Sequence, residues 1–97
     1  MYTILTSKPG HYRTEPGEHM RPVESWDYLF NGRRRARFDI VQMDVDEKVR
    51  VIDETGPPIV NLVPSKFLTK FSTVEAARKS LKVLAKFGAI DTALVKV

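Results

Sequence analysis

Hydrophobic residues recur along this chain with two different periods. Through roughly the first two thirds they form short runs or alternate with polar ones, the pattern of half-buried strands; from Ser72 onward they recur every three or four residues, the pattern of one helix face. The first run, Tyr-Thr-Ile-Leu-Thr-Ser at residues 2–7, is β-branched and aromatic enough for a strand. Residues 8–22 contain three prolines and two glycines and read mainly as loop, with a short extended piece at 11–15. A connection of that length is often a functional or mobile one.

Further along, Ala36, Phe38 and Ile40 alternate with Arg35, Arg37 and Asp39, predicting a strand with one buried side. Asp44, Val45, Asp46 and Glu47 make a tight acidic turn that serves as a solvated tip. Residues 48–53 form the next strand, with Val49 and Val51 on one face, and Gly56-Pro57-Pro58 breaks it. Ile59, Val60, Leu62 and Val63 then belong to a short apolar strand, and the whole region reads as an antiparallel meander. Phe67, Leu68 and Phe71 are expected to plug the core just before the helix.

The helix is predicted over residues 72–88. Ser72 and Glu75 have capping-box spacing, and Val74, Ala77, Leu81 and Leu84 make an apolar stripe. Gly88 suits the left-handed residue that closes a helix. Residues 92–97 return as a strand that needs a partner, for which residues 2–7 are the candidate. These elements give an α+β fold: an antiparallel sheet of about five strands (meander or hairpins) with one C-terminal amphipathic helix on one face and a returning C-terminal strand.

Residues 26–38, Trp-Asp-Tyr-Leu-Phe-Asn-Gly-Arg-Arg-Arg-Ala-Arg-Phe, admit two structures. Asn-Gly between β-formers signals a two-residue hairpin. In that register Phe30 faces Arg33, Tyr28 faces Arg35 and Trp26 faces Arg37, all six on one side of the sheet, with Arg34 on the other. The alternative is a short helix over residues 22–31, begun by Pro22 and ended by Asn-Gly. The hairpin has two internal objections: it sets Glu24 opposite Asp39, and it places Asp27 on an apolar face. Residue propensities favour the strand nonetheless.

Size and composition then narrow the chemistry. Ninety-seven residues make a single domain, 1–97, large enough for one core. Without cysteine there are no disulfides, zinc–thiolate sites or cysteine-ligated clusters. The first ten residues lack the form of a signal peptide, and no apolar run reaches membrane-spanning length, so a cytoplasmic protein without membrane association is expected. The net charge of +4 is unevenly spread: residues 33–38 carry +4, residues 39–54 carry −4 and residues 55–97 carry +5. Attraction to an anionic partner follows, unless internal pairing consumes it.

Candidate sites are few. Arg33, Arg35 and Arg37 beside Trp26, Tyr28 and Phe30 would combine phosphate- or carboxylate-binding forks with stacking rings. A solvated sheet face is the commoner use of such a strand. Arg78, Lys79, Lys82 and Lys86 form a second basic face on the helix, again of a kind usually left in water. His11, Glu15, Glu18 and His19 crowd one segment without a recognised metal spacing, so no metal and no cofactor is assigned. A small enzyme or enzyme-complex subunit would have to use that His11-to-His19 loop. No nucleophile motif, phosphate loop or dinucleotide fingerprint occurs. The expected function is a small non-enzymatic accessory or binding module for an acidic protein partner or an anionic ligand. Single-stranded nucleic-acid binding through the aromatic and arginine face is the alternative.

Overall fold

The computed structural model describes residues 1–86 and 91–97, with Lys86 described in its backbone alone. Among the described residues seven strands precede and follow one α-helix: β1 (Tyr2–Ser7), β2 (Tyr12–Glu15), β3 (Arg21–Phe30), β4 (Arg33–Gln42), β5 (Lys48–Asp53), β6 (Val60–Pro64), α1 (Val74–Lys86) and β7 (Thr92–Lys96). The α+β class holds, but the expected sheet of about five strands is two antiparallel sheets: a four-stranded one in the order β1-β4-β3-β7 and a three-stranded one in the order β2-β5-β6.

The larger sheet is the middle of three layers. Neighbouring residues Ile40 and Val41 on β4 point to opposite faces, and both are 0% exposed. Val41 joins Leu5, Met20, Met43 and Val49 in a core between the two sheets. Ile40 joins Ala77 and Leu81 of α1 in a second core, flanked by Tyr2, Ile4, Trp26, Phe38, Phe71 and Leu94. Each fully buried aliphatic side chain there contributes about 1.5–3 kcal/mol.

The meander breaks between β4 and β5. Residues 44–47 do not join paired strands but carry the chain from one sheet to the other, held by polar contacts rather than left as a tip. The Glu47 N–H donates to Ser65 Oγ at 2.9 Å and Ser65 N–H donates to the Glu47 carbonyl at 2.8 Å. Asp46 accepts from Ser65 Oγ at 3.0 Å and lies 3.4 Å from Lys70 Nζ; the Ser65 bond and this ammonium hold its carboxyl below the usual carboxylate range. The short extended piece foreseen at 11–15 is realised as β2, on the edge of the smaller sheet.

Three local expectations shift. Thr73, not Ser72, caps α1: Thr73 Oγ1 accepts the Ala76 N–H at 3.0 Å, and Glu75 turns toward Arg78 at 3.9 Å instead of back to a cap. Leu81 is core, whereas Leu84 is 56% exposed. Leu68 and Phe71 pack against the cores, but Phe67 is 75% exposed, with Lys66 Nζ 5.3 Å from its ring centroid. The foreseen helix end at Gly88 lies outside the described residues.

Strand β7 pairs with β3 rather than with β1. The cause is the path of the helix. The chain leaves the β1 edge, where Tyr2 and Phe71 exchange two backbone hydrogen bonds of 2.8 and 2.7 Å. A helix of 13 residues then spans about 20 Å, enough to cross the roughly 14 Å of three strand spacings and deliver the chain at the far edge.

Candidate functional site

The Asn-Gly hairpin forms and the helical alternative for residues 22–31 does not. Asn31 and Gly32 both have positive φ, 51° and 74°, as the tight turn that matches strand twist requires. Phe30 faces Arg33 and Leu29 faces Arg34, in the foreseen register. One residue further the register slips: Tyr28 faces Ala36, so Arg35 is an extra residue on β4, a β-bulge.

That single insertion removes both objections to the hairpin. It moves Glu24 from opposite Asp39 to opposite Ile40, sets Ser25 against Asp39 and sets Asp27 against Arg37. Ser25 Oγ donates to Asp39 Oδ1, and the Arg37 guanidinium donates two bonds to the Asp27 carboxylate at 2.9 and 3.2 Å. With Arg34 also 3.9 Å away, Asp27 is held below the usual carboxylate range, chiefly by the Arg37 bonds, while Arg37 is raised. A second irregularity at Val23 restores the original register at Pro22 and Arg21.

The six-residue ladder is therefore not one face. Arg37 lies with Arg34 on the side toward the smaller sheet, in a hollow that also contains Ser7, Tyr12, Arg13 and Glu54. Trp26 packs in the helix-side core, and its indole N–H donates to Glu24 Oε1 at 2.7 Å. Arg35 alone of the three arginines stays with the aromatics in the foreseen sense: its guanidinium carbon is 5.6 Å from the Phe30 ring centroid. Tyr28 meets Phe38 edge to face at 6.5 Å, and Arg33 is exposed beside the turn.

The helix's basic face also divides. Arg78 donates two bonds, 2.7 and 2.6 Å, to Glu24, whose side chain is only 3% exposed, and Lys96 lies 3.9 Å from the same carboxylate. These bonds, led by Arg78's, lower the Glu24 pKa to about 2 against the cost of burial. Arg78 is thus a structural anchor. Lys79 and Lys82 remain exposed, and the Lys86 side chain lies outside the described residues.

Under Arg35 the sheet and helix leave a cleft of about 510 Å³, a size typical of small-molecule sites. Its walls are Tyr28, Ala36, Phe38, Leu81 and Leu84; Lys8, His11 and Arg35 stand among them, and among the described residues no Asp or Glu does. The bulge creates this arrangement, because it turns Arg35 to the side of Ala36 and Phe38. Lys8 comes from the turn between β1 and β2, a residue that no sequence motif singled out. The like-charge clash of the unbulged register was the one signal in the sequence that pointed to the bulge.

His11 and His19 are not brought together. His11 lines the cleft, while His19 lines a separate hollow with Glu18 and Arg21, its backbone N–H 3.1 Å from both Glu47 carboxylate oxygens. Among the described residues no three His, Asp or Glu side chains are grouped to hold a metal ion. No described helix is long and apolar enough to cross a membrane. No protein-family model, curated protein or solved structure matches this chain.

Proposed function

We propose that the protein is a small non-catalytic binding module that engages an anionic partner, an acidic protein segment or an anionic ligand, through the hairpin end of its larger sheet. The observation that carries this reading is where two of the unpaired cations sit. Arg13, Arg34, Arg37, Arg50, Arg78, Lys70 and Lys96 all lie within ion-pair distance of a carboxylate. Lys8, Arg33 and Arg35, like Arg21, Lys48, Lys66, Lys79 and Lys82, make no ion pair with a described residue; Arg21, Lys48 and Lys66 line hollows that also hold carboxylates, whereas Lys8 and Arg35 share one cleft with no carboxylate among its described lining residues. Cations left without partners at a concave, part-apolar surface retain their capacity for charge-assisted bonds to an incoming carboxylate or phosphate.

A fluorescent polyglutamate peptide tests the reading. Replacing Lys8, Arg33 and Arg35 by Gln should weaken its binding by about tenfold or more, the worth of one or two charge-assisted hydrogen bonds. Replacing Lys79 and Lys82 should change it less than about twofold, since exposed helix cations act only through screened, long-range charge. Equal losses from the two sets would reduce the effect to undirected positive charge and overturn the reading. A single-stranded oligonucleotide bound in preference, with a steep fall in affinity as salt rises, would favour nucleic acid instead. Trp26 weighs against that outcome, because its ring is committed to the helix-side core.

A further inference from the structure

A second hollow adjoins the cleft beside Arg35 at Leu84. It has a volume of about 290 Å³, shares Thr6, Phe38 and Leu84 with the cleft and runs between β1 and α1 to Ile4, Phe67 and Phe71. The two hollows share one wall and have unlike far sides: Lys8, His11 and Arg35 line the first, and Ile4, Phe67 and Phe71 line the second. Among the described residues neither lining contains a carboxylate. Leu84, on the shared wall, and Phe67, at the far mouth, are the large apolar side chains that the fold leaves uncovered there, 56% and 75% exposed.

The occupant is small rather than a peptide strand. The outer edge of β1 is closed at Tyr2 by its two bonds to Phe71, and the Thr6 carbonyl already accepts Thr14 Oγ1. The edge therefore lacks the run of free backbone groups that an added strand pairs with. An apolar trough without acids and with cations at one end complements a molecule with a hydrocarbon body and one anionic head.

We propose that the two hollows act as one trough that binds an amphipathic monocarboxylate, an alkyl chain of roughly eight to twelve carbons lying along Phe38, Leu84 and Phe71 with its carboxylate at Lys8 and Arg35. The proposal rests on the reading of Lys8 and Arg35 as an anion site and specifies its ligand. Head and body act through different physics and are separable by experiment. The carboxylate is held by charge-assisted bonds, which a neutral head forfeits. The chain is held by burial, so each methylene added before the trough is full should tighten binding by about two- to fourfold.

The test is a titration of the full chain with decanoate below its micelle concentration, followed by calorimetry and by amide chemical shifts. Decanoate should bind at least about tenfold more tightly than decanol, the margin of a charge-assisted bond, and shift the resonances of Ile4, Ala36, Phe38 and Leu81. Lys8→Gln with Arg35→Gln should remove that margin while leaving decanol binding unchanged. Leu84→Glu, at a position the fold leaves in water, should weaken both ligands, and Lys79→Gln should affect neither. Equal affinity for decanoate and decanol, or shifts scattered outside the trough, would overturn the proposal. Failure of decanoate to bind while polyglutamate still binds through Arg35 would overturn it and leave the anion-binding reading standing. Failure of both ligands would overturn both.

Discussion

Arg78 on the helix and Arg35 on the hairpin look alike in the sequence: each belongs to a basic stretch that is most simply left in water. The fold treats them oppositely. Arg78 reaches across 54 positions of sequence to a carboxylate that burial has stripped of water, and with the Trp26 indole and Lys96 it satisfies Glu24 in full. Arg35 meets an aromatic ring, an apolar cleft and no acid. The difference teaches that a cation's role is set by the carboxylate brought to it. A buried, hydrogen-bonded pair is committed to the fold, and removing one partner leaves a charge stranded. A cation beside an acid-free cleft is available to a ligand.

The largest expected effect is on the committed side. Arg78→Ala should lower the denaturant midpoint clearly, because it takes both hydrogen bonds from the buried Glu24 carboxylate, while Lys79→Ala one residue away should stay within ~0.5 kcal/mol. Denaturant midpoints for the two variants decide the matter; similar midpoints would erase the distinction between anchor and free cation. The apolar side of the helix should show the same division. Leu81→Ala should cost ~2–5 kcal/mol and Leu84→Ala less than ~1 kcal/mol, as the first empties a core position and the second a cleft wall. A large loss at Leu84 would mean that the trough is part of the core rather than a vacant surface.

Acid should dissolve the anchor. A folded pKa of about 2 for Glu24 lies below its ordinary value of 4.5, so the unfolded chain takes up this proton more readily. The resulting stabilisation, about 3 kcal/mol, is complete above that ordinary value and is lost as the pH falls through the folded pKa. Asp27, lowered by Arg37, adds loss in the same direction. Stability measured between neutral pH and about pH 2 should therefore fall less steeply for Glu24→Gln than for the unmodified chain; parallel curves would count against the network. A smaller effect locates the helix start: Thr73→Ala should cost ~1 kcal/mol and Ser72→Ala only a few tenths. Equally small should be the stability change from Arg35→Gln and Lys8→Gln, within ~0.5 kcal/mol, measured on the variants that lose ligand. A larger loss there would show that these cations, too, hold the fold together.

The sequence by itself determined what depends on neighbours along the chain. Asn31-Gly32 demands a tight turn because both positions need positive φ, and the stripe Val74, Ala77 and Leu81 demands a helix with one covered side. The α+β class follows from those periods alone. What only the tertiary structure decided is every relation that joins distant segments: the split into two sheets, the pairing of β7 with β3, Arg78 with Glu24, and Lys8 beside Arg35. Periodicity assigns a side chain to a face but not to a partner, and a one-residue bulge changes the partners of a whole strand without disturbing its apolar pattern. Arg37 was drawn to Asp27 and Arg35 to the cleft because, in the folded chain, one carboxylate could satisfy the first and none was within reach of the second.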